Sequence, residues 1–224
     1  MWIIDKIKHK NPRINSIKIT ETQPISRLFG FDRGTPIDRY YIEKFLKENQ
    51  QYIKGTVLEI SENTYSRKFS SGMIKQEILH FDNTNLEATI IGDLTDTSTL
   101  PENAIDCFIC TQTFNFIYDV KKALIGTRFL LKEGGVLLAT VGGLSQISRY
   151  DMDRWGHFWS FTNKSIEMLA KDAGFREIQI ITYGNVAAAT AFIQGLAQED
   201  LSDISILDRT DEDYQVTIGL RAIK

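Results

Sequence analysis

A chain of 224 residues, 42% hydrophobic and 25% charged, has enough apolar side chains for one fairly large domain. Its net charge of −3, from 26 basic and 29 acidic residues, gives no electrostatic reason to expect nucleic acid as a partner. No apolar run approaches the roughly 20 residues that span a bilayer, and the first residues lack the apolar core of a secretory signal. We therefore expect a cytoplasmic protein that binds neither nucleic acid nor membrane.

The first helix is predicted to follow an N-terminal extension, residues 1–34, that contains only short β-prone pieces. Thr35 can cap this helix, Pro36 suits its first position, and Asp38 completes a T-x-x-D capping box. Gly55 ends the segment. Residues 35–224 are interpreted as a single domain.

Beyond Gly55, short apolar strands alternate with amphipathic helices. The predicted strands are 56–60, 77–82, 88–93, 104–111, 134–141, 177–183 and 214–223. The predicted helices are 119–132 with Asp119 as a cap, 163–173 between a Thr162 cap and Gly174, and 185–200. This alternation predicts an α/β fold whose mostly parallel sheet has helices on both faces.

The two cysteines, Cys107 and Cys110, form a C-x-x-C inside the predicted fourth strand. Residues three apart on a strand point to opposite faces and lie about 10 Å apart, beyond the reach of a disulfide. We therefore expect two core cysteines. The few histidines offer no metal-ligand spacing either, so no metal site is predicted.

Polar residues recur at the predicted carboxyl ends of the strands, where open α/β sheets bind ligands. Glu59 lies near the end of the first strand, Asp82 and Asp93 end the next two, and Thr111 and Gln112 end the fourth. A carboxylate accepts two hydrogen bonds from vicinal hydroxyls, so the series favours a cofactor with a ribose. For any single acid, a helix cap or a solvated loop residue is the simpler explanation.

The order of these elements resembles the class I S-adenosylmethionine-dependent methyltransferases. The resemblance covers roughly residues 35–183, with the last strand consistent, and it rests on VLEI, IIGDLTD, AIDCFICTQTFNFIYDVKKAL and above all RFLLKEGGVLLATV. The sequence is similar to a bacterial subgroup with RGTPIDRYYIEKFL, a glycine-poor LEI…N-T-Y loop and SRYDMDRWGHFWSFT. The resemblance implies a Rossmann-like fold with a seven-stranded sheet in which one strand, 214–223, is antiparallel.

The resemblance also implies S-adenosylmethionine as cofactor and assigns a role to each residue of the series. Glu59 and Ser61 would lie beside its methionine portion, Asp82 would bind the ribose, Asp93 and Leu94 would contact the adenine, and Thr111 and Gln112 would lie near the sulfonium. The leading helix, with Arg33, Asp38, Arg39 and Tyr40, could fold over the cofactor.

The first loop departs from the usual E-x-G-x-G-x-G, because it reads E-I-S-E-N-T-Y. Asn63 tolerates the left-handed conformation, so we predict that the turn survives there. Tyr65 is the serious departure, since its ring either points outward, forms a wall of the pocket or fills it. Two interpretations stay open: a modified but working loop, or a methyltransferase fold that no longer binds. We favour the first, because the rest of the series is intact.

An aromatic insert at 144–162 follows the predicted fifth strand and contains SRYDMDRWGHFWSFT. His157 is the predicted general base, with Asp151 and Asp153 as its orienters. The predicted acceptor contacts are Tyr118, Arg154, Trp155 and Trp159, the two tryptophans serving as a stacking floor. The alternative is a lid whose aromatic residues only cover the top of the sheet, with a surface histidine.

These features predict a methyltransferase that acts on a small molecule, at an oxygen of a sugar or glycan precursor. A non-catalytic binding or scaffold protein is the alternative. A nicotinamide-dependent enzyme is disfavoured, because the first turn lacks G-x-G-x-x-G. The oligomeric state stays open, with a homodimer among the options.

Overall fold

The computed structural model describes residues 21–70 and 72–224, and a seven-stranded sheet forms its centre. The strands are β1 (Thr56–Ile60), β2 (Lys75–His80), β3 (Ile90–Ile91), β4 (Ile105–Thr111), β5 (Leu131–Gly142), β6 (Arg176–Tyr183) and β7 (Thr217–Ile223). Their order is β3-β2-β1-β4-β5-β7-β6, and only β7 runs against its neighbours. The predicted fold class is confirmed, including the antiparallel last strand.

Helices cover both faces of this sheet. They are α1 (Ile37–Glu48), α2 (Thr64–Phe69), α3 (Val120–Leu130), α4 (Arg149–Met152), α5 (Asn163–Asp172) and α6 (Val186–Ile193). Side chains of α3 and α5 belong to one buried cluster, and those of α1, α2 and α6 belong to the other. Cys110 is in the first cluster and Cys107 in the second, both as free thiols, so the prediction of two core cysteines is confirmed.

Most predicted helix boundaries are close to those observed. Asp119 accepts a hydrogen bond from the Lys122 N–H at the start of α3, and Thr162 forms a capping box at the start of α5. Gly174 has a φ of +88°, as expected beyond the end of α5. Helix α6 is shorter than predicted and ends before Gly195, whose φ of +74° lies in the left-handed region.

The predicted capping box at Thr35 is wrong. Helix α1 begins at Ile37, and no side chain caps it. The N–H and hydroxyl of Thr35 instead donate to the two carboxylate oxygens of Glu199, at 2.7 and 2.8 Å. Arg33 pairs with Asp200 at 2.6 Å in the same region. These contacts tie the segment before α1 to the loop after α6.

The strand order reverses between β1 and β4, which both run parallel to each other with their carboxyl ends at one edge. A crevice forms at such a point because the connections leave the sheet in opposite directions. Among the described residues, no helix is long and apolar enough to cross a membrane.

Candidate active site

An open cleft lies at this edge, with a volume of about 540 Å³. That volume is within the ~300–1,000 Å³ of typical small-molecule sites. Its walls come from the loop after β1, the end of β4, the insert after β5, the first turn of α1 and the segment before it. The predicted site residues among its lining are Glu59, Ser61, Tyr65, Thr111, Gln112 and His157.

The buried carboxylate of Glu59 fixes the loop after β1 by hydrogen bonds to the start of α2. The residue is 3% exposed, and its carboxylate accepts hydrogen bonds from the Tyr65 N–H at 3.1 Å and the Ser66 N–H at 2.8 Å. Burial raises the pKa of Glu59. Both oxygens therefore satisfy the first N–H groups of α2, which is a structural task in addition to the predicted cofactor role.

The left-handed residue of this loop is Ser61, where the family pattern has its first glycine. Its φ is +64°, whereas Asn63 has a φ of −129° and does not line the cleft. The expectation that Asn63 takes the left-handed turn is therefore wrong. The reason is that α2 begins directly after Asn63, which fixes that residue at the position before the helix.

Tyr65 forms a wall of the cleft. It is 4% exposed, its ring stacks on Phe69 with centroids 6.3 Å apart, and its hydroxyl accepts a hydrogen bond from Arg39. The Arg39 guanidinium lies 5.5 Å from the centroid of the same ring. The ring is thus packed between α1 and α2, and the space above Ser61 stays open as part of the cleft.

The end of β4 carries a second strained residue that faces the cleft. Gln112 has a φ of +50°, and its N–H donates to the Thr140 carbonyl at 2.7 Å. A left-handed conformation in a residue other than glycine costs about 1–2 kcal/mol, and such outliers cluster at ligand sites. Ser61 and Gln112, which follow the neighbouring strands β1 and β4, are therefore two cleft-lining residues with a strained backbone.

Asn115, in the short turn after β4, fastens the insert to the sheet. Its side-chain amide accepts from the Gly142 N–H at 3.0 Å and donates to the Gly142 and Trp159 carbonyls at 3.1 and 2.7 Å. The residue is 3% exposed. One buried amide thus fixes the end of β5 and the distal part of the insert relative to β4.

His157 lines the cleft, but its hydrogen bonding does not suit a base. Its Nδ1 accepts from the Ser148 N–H at 3.2 Å, and its ring meets the Phe116 ring edge-on at 5.0 Å. In the neutral ring, a hydrogen-bond acceptor at Nδ1 requires the hydrogen to be on Nε2, which is then a donor. Burial lowers the pKa of His157, and the Asp151 charge opposes this shift. Base catalysis by His157 stays a prediction that this geometry disfavours.

The two predicted orienters of His157 have other partners. Asp151 accepts from the Ser148 hydroxyl at 2.5 Å and from the Trp155 indole N–H at 3.1 Å. Asp153 pairs with Arg149 at 3.5 Å on the exposed side of α4. Asp151 lines the cleft and favours protonation of His157 through its charge alone.

The predicted acceptor contacts do not line the cleft itself. Trp159 donates to the backbone of the turn after β4 and stacks on Tyr118 at 6.3 Å, with 40% of Trp159 and 72% of Tyr118 exposed. Arg154 lies 3.4 Å from the centroid of the Tyr150 ring. Trp155 meets Phe81, the residue after β2, edge-on at 6.1 Å. A stacking floor inside the cleft is therefore not formed by these residues.

The predicted ribose and adenine residues also lie outside the cleft lining. One oxygen of Asp82 accepts from Thr84, and one oxygen of Asp93 accepts from Thr95, as in local turns. Leu94 is 4% exposed and packs in the core on the α3 side of the sheet. The Leu94 side chain is therefore in the core and not in the cleft. Asp82 and Asp93 each keep one carboxylate oxygen without a partner among the described residues.

Several lining residues lie outside the predicted strand-end series and insert. They come from distant segments and include Phe29, Phe31, Asp38, Arg39, Phe192 and Val216. Only the leading helix pointed to two of them. No group of three or more candidate metal ligands occurs within residues 21–70 and 72–224.

Comparisons with known proteins agree with this architecture. Residues 48–139 match a family model described as a methyltransferase domain. A S-adenosylmethionine-dependent methyltransferase from Archaeoglobus fulgidus has a TM-score of 0.54 at 10% identity, over 83% of this chain and 94% of that chain. One from Thermotoga maritima has a TM-score of 0.53 at 15% identity, over 84% and 94%.

A third similar structure is phosphoethanolamine N-methyltransferase 2 from Haemonchus contortus, in complex with S-adenosylhomocysteine. Its TM-score is 0.51 at 13% identity, over 81% of this chain and 52% of that longer chain. No curated protein matches the chain in sequence. The closer similarity to a glycine-poor bacterial subgroup stays a prediction. The comparisons agree with the predicted resemblance to the class I S-adenosylmethionine-dependent methyltransferases: residues 48–139 match a methyltransferase domain, and more than four fifths of the chain has the fold of these enzymes.

Proposed function

We propose that this enzyme transfers the methyl group of S-adenosylmethionine to a small-molecule acceptor held in the cleft. The observation that carries the proposal is that the loop after β1, the end of β4 and the insert after β5 all line the same cleft. The left-handed backbone at Ser61 and Gln112 supports a ligand that approaches the backbone closely at both points.

The cofactor fits the donor groups around this space. Ser61, Thr111 and Gln112 would hold it from the floor, with Tyr65 as a side wall. Asp82 and Asp93 would reach it from beyond the rim, each through the carboxylate oxygen that its local turn leaves free. S-adenosylmethionine, when bound, supplies an already activated methyl group. The residues of the chain therefore act mainly by positioning and by excluding water.

An oxygen of a sugar or glycan precursor is the acceptor that we propose. Trp155, Trp159 and Tyr118 are exposed aromatic residues of the insert and of the segment after β4, both of which contribute to the cleft, and their faces suit a sugar ring that extends out of it. An alcohol must lose a proton during the transfer, and His157 is the candidate to be tested as its base. The cytoplasmic location and the oligomeric state stay predictions.

Calorimetric titration with S-adenosylmethionine and S-adenosylhomocysteine tests the cofactor site. We expect micromolar binding that Asp82→Ala abolishes. Asp203→Ala is the matched control, because Asp203 makes the same kind of turn, with the Ser205 N–H at 2.9 Å, in the distant loop before β7. If neither ligand binds a folded sample, a non-catalytic scaffold becomes the leading interpretation. The packing of Tyr65 against Phe69 supports the working site over that alternative.

A further inference from the structure

The first turn of α1 presents two opposite charges to the cleft, and each has the charge of the other beside it but no hydrogen-bonded ionic partner in the described chain. Asp38 lines the cleft, and its Oδ1 is sealed from solvent without a hydrogen bond. Arg39 lines the same cleft and donates to the neutral hydroxyl of Tyr65. A charge kept from water without a partner is costly, so it persists where a ligand compensates it.

The other charged groups that line the cleft have hydrogen-bond partners, including the exposed Glu62, which accepts from the Thr64 hydroxyl at 3.1 Å. Both oxygens of Glu59 accept from α2, and both oxygens of Asp151 accept from Ser148 and Trp155. Arg33, six residues before Arg39, pairs with Asp200 outside the cleft. Among the buried carboxylates and the arginines near the cleft, Asp38 and Arg39 are therefore the two that a bound ligand could pair with.

A ligand that satisfies both must carry an ammonium and a carboxylate close together. Arg39 and Asp38 are adjacent in sequence and each charge favours the charged form of the other, but the Arg39 guanidinium donates to Tyr65 and Oδ1 of Asp38 has no hydrogen bond, so a zwitterion can bind to both. A guanidinium binds a carboxylate through two parallel hydrogen bonds, which a point charge cannot do. The amino-acid end of the cofactor has these two groups.

We infer that Asp38 and Arg39 bind the α-ammonium and the α-carboxylate of S-adenosylmethionine, replacing contacts that the glycine-poor loop has lost. The inference rests on the proposed function. It explains how the loop works with Ser61 and Tyr65 in place of glycines, because Tyr65 now braces the arginine. Asp38 and Arg39 are thus binding residues supplied by α1 and not by the loop after β1.

Three ligands separate the two roles by calorimetry at neutral pH. Decarboxylated S-adenosylmethionine lacks only the carboxylate, and 5′-methylthioadenosine lacks the whole amino-acid portion. Arg39→Met should weaken S-adenosylmethionine by roughly 10- to 100-fold and leave the other two unchanged. Asp38→Asn should weaken S-adenosylmethionine and its decarboxylated form by a similar factor, and leave 5′-methylthioadenosine unchanged.

Arg33→Met is the matched control and should bind all three ligands like the wild type. If Arg39→Met does not fold, Arg39→Lys tests the same contact with the carboxylate. It keeps the charge, so it should weaken S-adenosylmethionine by a smaller factor and leave the other two ligands unchanged. Equal losses for all three ligands, or no loss for any, would overturn the inference, whereas wild-type binding of the three ligands would still support the proposed function. If the wild type binds none of the three, the proposed function fails and the inference fails with it.

Discussion

The hydroxyl of Tyr65 accepts a hydrogen bond from Arg39, and this contact helps to fix the position of the Tyr65 ring. With the guanidinium 5.5 Å from its centroid and Phe69 stacked behind it, the ring is held against α1 and α2. The cleft therefore stays open although a phenol replaces a glycine. The same contact keeps the arginine aimed at the cleft.

Tyr65→Phe should lower the free energy of unfolding by about 1 kcal/mol, because the ring packing is kept and one hydrogen bond to a charged group is lost. Chemical denaturation measures this change. Tyr118→Phe, at a ring that is 72% exposed, should have no effect and serves as the control. A Tyr65→Phe variant as stable as the wild type would mean that the contact with Arg39 contributes nothing.

Ser61→Gly should not destabilise the protein, since relief of a left-handed strain of about 1–2 kcal/mol offsets the extra freedom of glycine in the unfolded chain. Asn63→Gly has no such strain to relieve at its φ of −129°, and we expect it to cost about 0.5–1 kcal/mol. Denaturation of both variants gives the comparison. The reverse order would place the left-handed residue at position 63.

Asp38→Asn should stabilise the protein at neutral pH. Burial raises the pKa of Asp38 from 3.8 to about 6, so the folded state binds its proton more tightly than the unfolded state does. The free energy of unfolding therefore falls as pH rises from 3.8 to about 6, and the full penalty persists above that range.

The asparagine variant removes this penalty, which is on the order of 3 kcal/mol. Denaturation of wild type and variant as a function of pH should give curves that separate through this window and stay apart above it. A variant that is less stable than the wild type at neutral pH would show that the carboxylate is paired.

His157→Asn should flatten the loss of stability on the acid side. Burial lowers the pKa of His157 below 6.5, so the unfolded state takes up the proton first as pH falls. The folded state therefore loses stability from pH 6.5 downward, until its own pKa is reached, and the nearby Asp151 charge opposes this effect. The difference between wild-type and variant curves should be constant above pH 6.5. A difference that grows above that pH would mean a raised pKa.

Asn115→Ala should cost about 1–3 kcal/mol, because the Gly142 N–H loses the Asn115 amide, whereas the Gly142 carbonyl still accepts from the Phe161 N–H at 2.9 Å. Thermal and chemical denaturation report the loss, with the exposed Asn83→Ala as the control. Protease cleavage within 144–162 should also become faster, since the Trp159 carbonyl loses the same amide. Unchanged cleavage would mean that other contacts fix the insert.

The sequence by itself determined the sheet, both core cysteines and the strand-end positions of Glu59, Thr111 and Gln112. These follow from local patterns: apolar strands, helix caps and a periodicity of two or 3.6 residues. The same patterns placed His157 over the cleft, because the insert follows a strand whose carboxyl end is at the site.

The tertiary structure alone decided which side chains face the cleft. Asp38 was predicted both as a cap and as part of a leading helix that could fold over the cofactor, and the packing of α1 decided between the two by placing it in the cleft lining. Phe192 and Val216 reach the site from segments more than a hundred residues beyond β1, and Trp159 is drawn away from it by the backbone after β4. Local spacing sets where a residue lies along its element, whereas its neighbours across space are set by how helices and loops pack, which no short stretch encodes.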